Sequence, residues 1–395
     1  MTAWQVFDTF VLIVAAFPLT YYLLAIFSSL RFFSRRLEPN PDFTPAISIL
    51  KPVRGLDDGA YENFSSFCRQ DYPEYEVLFC VGSADDPNVP VIEKLAHDFP
   101  DRSIRLLIGS NPSATNDKVS KLSRLASEAK HAYLAFSDSD IRVEPDYLRT
   151  VVSPLRDPQV GAVTCLYLQT DEKSFANSLQ TIGQVSDFYA SLAVARLLDG
   201  VKFALGSTIV TRKETLAEAG LFAAIENKPA DDMLVGRLIA AKGYSVELLP
   251  YAVRAVVDFE SMRGFLAKRM RWAVVQKNMR PWGHIGLLLT LGLLWSLIAM
   301  ATHPTIAVVC GYLGSYLLLR IVMTAVIAVW GLKQPSILKK FWLIPVWDAL
   351  AMIILLASFA RNRVRWRDGE YVIHNGTLAP VVESAQKERV ANPVP

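Results

Sequence analysis

Asp138 and Asp140 stand one residue apart where the apolar run Tyr133 to Phe136 stops. A short run of that kind reads as a buried strand, so both carboxylates emerge at its C-terminal end, where open α/β sheets place their ligand crevice. Once the strand bends into a loop, side chains two apart can turn toward one ion. Hard oxygen donors suit Mg²⁺ or Mn²⁺, which take one or two carboxylates and fill their shell with substrate phosphates. A metal on Asp138 and Asp140 would bridge the chain to a diphosphate. Asp and Ser are also ordinary turn formers, so the triplet alone reads first as a solvated turn. Its neighbours carry the argument further.

Other strand ends hold matching groups. Lys51-Pro-Val-Arg54-Gly55 follows the predicted strand Ile47 to Leu50, and Gly82-Ser-Ala-Asp85-Asp86-Pro87 follows Tyr75 to Val81. Lys118 and Lys121 open the helical stretch ahead of the Asp-Ser-Asp strand. Strand ends that show basic, acidic, basic and acidic groups in succession make a floor for a charged ligand with its own cation. Asp231 and Asp232 precede the amphipathic run Met233 to Ala241; by themselves they read as a cap and dipole partner. Residues 264–280 form a basic helix carrying Lys268, Arg271 and Trp272. Such a helix meets anionic headgroups, while arginine also grips phosphate bidentately and tryptophan offers a flat face to a sugar or lipid.

These groups need elements to position them. From Ala46 to about Leu249 short β-rich runs alternate with helical patterns, which predicts βαβ units and a mostly parallel, Rossmann-like α/β sheet. Predicted strands also cover Ile104 to Ile108, Val160 to Leu168 and Tyr244 to Leu249, and Gly206-Ser207 begins another strand-like run. The 395 residues are 52% hydrophobic, too apolar for an ordinary soluble enzyme. Thr9 to Leu30 lacks any charge and is long enough to span a bilayer. Arg31, Arg35 and Arg36 follow it, which puts the next domain in the cytoplasm. Ile285 to Thr302 and Thr305 to Leu332 form an apolar hairpin at His303-Pro304, with Arg320 inside the second arm; an intramembrane charge implies a partner or a cavity. Phe341 to Ala360 is flanked by basic residues at both ends and reads as re-entrant or in-plane. Ser186 to Leu205, rich in aromatics, reads either as a core helix or as an interfacial helix beside the anchor.

The expected organisation is an anchor at 1–36, an α/β domain at 46–262, a juxtamembrane helix at 263–283, membrane helices at 284–361 and a cytoplasmic tail at 362–395. A net charge of +3, with basic residues set beside apolar runs, gives no nucleic-acid surface. The four cysteines show no ligand or disulfide spacing.

Taken together, these stretches resemble the ceramide glucosyltransferases of glycosyltransferase family 21, membrane enzymes with a GT-A fold. The resemblance runs from Ser48-Ile-Leu-Lys-Pro-Val-Arg-Gly55 through Cys68-Arg-Gln-Asp71 and Asp138-Ser-Asp-Ile-Arg-Val143 to Arg365-Trp366-Arg367-Asp-Gly-Glu-Tyr371. It implies inverting transfer of a hexose, glucose first, from a UDP-sugar to the primary hydroxyl of ceramide. By the same resemblance Asp86, with Asp85 beside it, contacts the uridine; Lys51 and Lys118, by their strand-end and helix-start positions, are expected to serve the donor. Asp138 holds the diphosphate and, with Asp140, the Mg²⁺ or Mn²⁺, while Asp232 is the general base. Lys268-x-x-Arg271-Trp272 fills the place of a (Gln/Arg)-x-x-Arg-Trp motif; its lysine keeps the cation without the planar fork. No histidine occurs between Ser186 and Leu205, where some relatives have one. The implied setting is a bacterial inner membrane with the catalytic domain cytoplasmic. N-acetylglucosaminyl transfer to a hopanoid lipid, a processive polysaccharide synthase and a non-catalytic nucleotide-binding membrane scaffold are the alternatives.

Overall fold

A computed structural model describes residues 3–110, 116–170, 172–366, 369–374 and 377–380. Eight strands form its main sheet: β1 (Ile47–Pro52), β2 (Tyr75–Val81), β3 (Ser103–Ile108), β4 (Tyr133–Phe136), β5 (Ile141–Arg142), β6 (Val160–Thr170), β7 (Ile209–Arg212) and β8 (Ser245–Val256). Their order is β3-β2-β1-β4-β7-β6-β8-β5. β7 and β5 run against the other six, so the sheet is mixed but mostly parallel. β1 and β2 are buried throughout, which is why they read as continuous apolar runs. One face of the sheet packs on helices Ala60–Cys68, Val89–Asp98 and Tyr147–Val152; the other packs on Asp117–Glu128, Phe175–Gly183, Tyr189–Asp199 and Asp231–Ala241.

The topology brings separate sequence stretches to one edge. β1 and β4 are parallel neighbours, so Lys51 and the Asp138 loop leave the sheet side by side. β7 is antiparallel to β4, with Phe136 opposite Ile209, so the residues that enter β7 lie beside those that leave β4.

Among the described residues, three helices are long and apolar enough to cross a membrane: Trp4–Phe33, Ile306–Gly331 and Pro335–Phe359. A fourth candidate is bent by 50° between Pro281–Thr290 and Gly292–Thr302. The bend has a side-chain cause: Tyr22 Oη donates to Thr290 O at 3.1 Å and accepts from Gly292 N–H at 3.1 Å. Arg320 finds the partners its position demands. Its guanidinium donates to Asp348 Oδ2 at 2.9 Å and Ser186 O at 2.6 Å, and pairs with Asp187 Oδ1 at 2.9 Å. The membrane helices are thus tied to the segment Gln184–Phe188 of the α/β part. Both ends of Pro335–Phe359 are held from that part or its neighbour: Lys340 pairs with Glu172, and Lys277 Nζ donates to Ser358 O at 2.9 Å. The helix Tyr189–Asp199 buries Tyr189, Leu192 and Val194 and also packs on the N-terminal helix, so the core and anchor-side readings of this stretch share one element.

The tail forms a small antiparallel sheet, β9 (Arg363–Trp366), β10 (Gly369–His374) and β11 (Thr377–Pro380). Val364 and Ile373 pack on Val274 of the helix Met262–Met279. Arg367, Asp368 and the residues from Ser384 onward lie outside the described residues.

Candidate active site

The site is built where β1, β4 and β7 meet. Lys118, in the first turn of Asp117–Glu128, reaches Asp138 Oδ1 at 2.6 Å and Asp231 Oδ2 at 3.2 Å. Burial by itself would lower its pKa, but Asp138, Asp231 and Asp232 lift it well above the usual lysine range. Asp232 Oδ2 accepts from Gly206 N–H at 3.0 Å, and its Oδ1 accepts from Met233 N–H at 2.7 Å. Burial, followed by the charge on Asp231, pushes the Asp232 carboxyl up to about 6. Ala230, just before the pair, has φ 58°. A left-handed alanine costs about 1–2 kcal/mol, and here it turns both carboxylates toward the site at the start of the helix Asp231–Ala241.

Beside this cluster lies a cleft of about 240 Å³ lined by Arg54, Asp57, Lys118, Lys121, Asp138 and Asp140, among others. Asp140 is pushed up to about 7, first by burial and then by Asp138 and Asp57, with Lys51 opposing. Asp57 is raised as well, chiefly by burial, although Ser139 Oγ donates to its Oδ2 at 2.5 Å. Carboxylates crowded in this way fit a divalent cation: Asp138 and Asp140 offer two hard oxygen ligands, and a diphosphate would complete the shell. Among the described residues no group of three or more His, Cys, Asp or Glu is arranged to hold an ion alone.

The other expected residues separate by position. Lys51 is fully buried beneath the loop; it donates to Asp138 O and lies 4.0 Å from the centroid of Phe67, and burial lowers its ammonium to about 7. Asp86 shapes the neighbouring loop, accepting from Gly55 N–H at 3.2 Å and from Asn88 N–H at 3.0 Å. Asp85 is exposed. Lys268 pairs with Glu260 Oε2 at 2.7 Å, and both Lys268 and Arg269 stand over the Trp272 ring. Arg271 and Trp272 lie on the same helix, with Trp272 partly exposed.

Four residues gain roles that the sequence did not announce. Asp231 shares Lys118 with Asp138; Gly206 anchors Asp232; Asp57 supports Ser139. Tyr167, near the end of β6, lies within electrostatic reach of Asp232 and Arg269, and its phenol is raised by burial and then by Asp232. The acidic pair Asp57-Asp58 between Gly55 and Gly59 was a readable turn signal. The others depend on contacts between distant strands.

Residues 10–379 match glycosyl transferase family 21. Ceramide glucosyltransferase 3 of Caenorhabditis elegans is 26% identical over 238 residues, 60% of this chain and 52% of that protein. Ceramide glucosyltransferase 1 of the same organism is 23% identical, over 66% of this chain and 56% of the relative. The ceramide glucosyltransferase of Komagataella phaffii is 33% identical over 117 residues, 29% of this chain and 23% of the relative. The chain therefore spans about half the length of the first two relatives. Among solved structures, the mannosyltransferase PcManGT from Pyrobaculum calidifontis, in complex with GDP-Man and Mn²⁺, superposes with a TM-score of 0.54 at 18% identity, covering 89% of this chain and 98% of the other. That likeness supports the fold: a GT-A-like α/β sheet carrying apolar helices at both ends. The match over residues 10–379 decides the family, and the chain belongs to glycosyl transferase family 21.

Proposed function

We propose that this chain transfers glucose from UDP-glucose to the primary hydroxyl of ceramide, giving a β-glucosylceramide. The observation that carries the reading is the meeting of Asp138, Lys118 and Asp232 around Gly206, beside a polar cleft and against membrane helices. A diphosphate-binding carboxylate and a second one of raised pKa then face a single reaction centre.

On this reading the donor lies in the cleft with its uridine toward the loop that Asp86 holds. Asp138 and Asp140 would bind Mg²⁺ or Mn²⁺, which supplies Lewis-acid neutralisation of charge on the leaving UDP. Lys118 adds a fixed cation at the same place. Asp232, kept close to neutral pH by burial, accepts the proton of the acceptor hydroxyl while its oxygen bonds to the anomeric carbon. The carbon–oxygen bond to UDP breaks on the opposite face, so an α-linked donor yields a β-glycoside. Arg271 stabilises the departing diphosphate, and Trp272 lines the acceptor side. Pro335–Phe359, held at both ends, would be a re-entrant or in-plane segment of a bacterial inner membrane, with the domain cytoplasmic.

The test is transfer of labelled sugar by membranes containing the protein, with UDP-glucose, UDP-galactose and UDP-N-acetylglucosamine offered against ceramide and a hopanoid polyol. β-Glucosylceramide as the main product supports the proposal. Product only on the hopanoid would replace the acceptor, and no product from any pair would return the scaffold reading.

A further inference from the structure

The helix Phe175–Gly183, continued by the π-helical turn Gln184–Phe188, packs against both β6 and the apolar helix Pro335–Phe359. Gly183 touches Trp347 so closely that a β-carbon would lie 2.3 Å from its ring, and Phe175 pairs with Trp342 at 6.3 Å between ring centroids. On its other side this helix carries amides. Asn177, Gln180 and Gln184 share one face by their i, i+3, i+7 spacing. Asn177 Nδ2 donates to Asp258 O at 3.3 Å and Gln184 Nε2 to Tyr167 O at 2.9 Å, so the face looks onto the end of β6.

Between those two anchors the polar groups are left without partners. Gln180 and Gln184 are each 2% exposed, and neither Oε1 has a hydrogen-bond partner among the described residues. Gln169 Oε1 and Thr170 Oγ1 at the end of β6, and Ser207 Oγ beside Gly206, are also buried with no partner among the described residues. Buried polar atoms nearly always find partners, so a group of orphans along one path marks a place where something else supplies them. Amide oxygens only accept, so the missing partner must donate N–H or O–H groups. The charges that act on Tyr167 are Asp232, Asp140 and Asp138 against Arg269, and this excess of carboxylates disfavours an anionic visitor. Single π-helical turns occur often at functional sites, and this one resets the register between Gln180 and Ser186.

We infer that Gln180 and Gln184, with Tyr167, bind the uncharged polar head of the lipid acceptor through N–H and O–H groups other than the reacting hydroxyl. They thereby set specificity for acceptors that carry such donors. The inference rests on the lipid-acceptor reading above. Gly183 and Phe175 fix the amide face relative to the membrane helices, so a lipid with its chains among those helices presents its head to Gln180. Gln184 holds the Tyr167 backbone and so positions the ring beside Asp232.

The experiment uses the full-length protein in lipid nanodiscs, with ceramide and with ceramide methylated on its amide nitrogen as acceptors. Gln180→Met removes the amide at nearly constant volume. The KM for ceramide should rise about tenfold, the worth of one hydrogen bond. The KM for UDP-glucose, and hydrolysis of UDP-glucose without lipid, should hold at wild-type values. N-methylated ceramide should be a poor acceptor for the wild type and lose nothing further in the variant. An unchanged ceramide KM, or an equal loss with both acceptors, overturns the assignment. If Gln180→Met also loses donor hydrolysis, the isosteric Gln180→Glu decides. Glutamate keeps an acceptor oxygen, so retained hydrolysis with a preference for ceramide over its N-methylated form supports the assignment; retained hydrolysis with the ceramide KM raised about tenfold, or loss of hydrolysis in both variants, overturns it. A wild type that hydrolyses the donor but glycosylates neither lipid overturns the proposed function and this inference together, an outcome distinct from normal transfer by unaffected variants.

Discussion

Gly206 donates its N–H to Asp232 Oδ2 at 3.0 Å and leaves only a tight space for a side chain at the same point. A β-carbon there would stand 3.0 Å from Asp138 Oδ2, 3.3 Å from Lys118 Nζ and 3.4 Å from Asp232 Oδ2. One backbone position thus sets the separation between the donor-side carboxylate and the proposed base.

Gly206→Ala should therefore impair activity more than stability. The carboxylate ends can shift by a few tenths of an ångström, so the fold survives, but the two groups move apart. Misplacement on this scale lowers kcat by roughly 10- to 100-fold. Steady-state kinetics beside a melting curve check this; wild-type kcat in the variant would contradict it.

Asp232 predicts a pH profile. Burial, then Asp231, raises its carboxyl to about 6, so the protonated, inactive form persists up to that pH. kcat should fall as pH drops through about 6 and level off above it. A rate profile from pH 4.5 to 8, on the order of one point per half unit, locates the limb.

Removal of divalent ions should abolish transfer, and Mn²⁺ or Mg²⁺ should restore it, because Asp138, Asp140 and Asp57 crowd together. Asp140→Asn leaves a single charged ligand on that loop and should raise the metal concentration for half-maximal rate about tenfold or more. A chelator titration of both proteins measures the difference.

Arg320 joins the membrane helices to Gln184–Phe188 through Asp348, Ser186 and Asp187. Its side chain is 2% exposed and that of Asp348 10%. Arg320→Met strands a buried carboxylate, and breaking such a pair costs about 3–5 kcal/mol. Arg320→Met/Asp348→Leu should recover much of that loss. Thermal unfolding in detergent compares them, and a double variant no better than the single one would contradict the pairing.

The sequence carried the elements whose signals are local. β1, β2 and β4 are apolar runs ending in polar loops, and β4 delivers Asp138 to the edge where its spacing placed it. Asp232 was named through the family pattern, since an acidic pair opening a helix reads locally as a cap. Other features rest on distant contacts. β8 runs past Pro250 because the pairing of Leu249 with Cys165 jumps to Ala252 with Leu166, letting the proline bulge out of the ladder. The bend near Leu291 comes from Tyr22, far away in sequence. Lys51 reads as a phosphate ligand from its strand-end position, yet in the fold it supports the Asp138 backbone. The tail sheet β9–β11 is short and gains its apolar partners from Met270, Val274 and Val275 of the helix Met262–Met279.

The central claim is that Asp232 takes the acceptor's proton while Asp138 and Lys118 hold the donor. The most direct measurement is the single-turnover rate of sugar transfer from UDP-glucose to ceramide by Asp232→Asn, alongside UDP-glucose binding. Asparagine keeps an oxygen for Gly206 N–H, so the account predicts wild-type donor affinity and a rate lower by about 10²- to 10⁴-fold, without the acid limb near pH 6. Transfer at the wild-type rate with that limb intact would contradict it and send the search for the base elsewhere in the site.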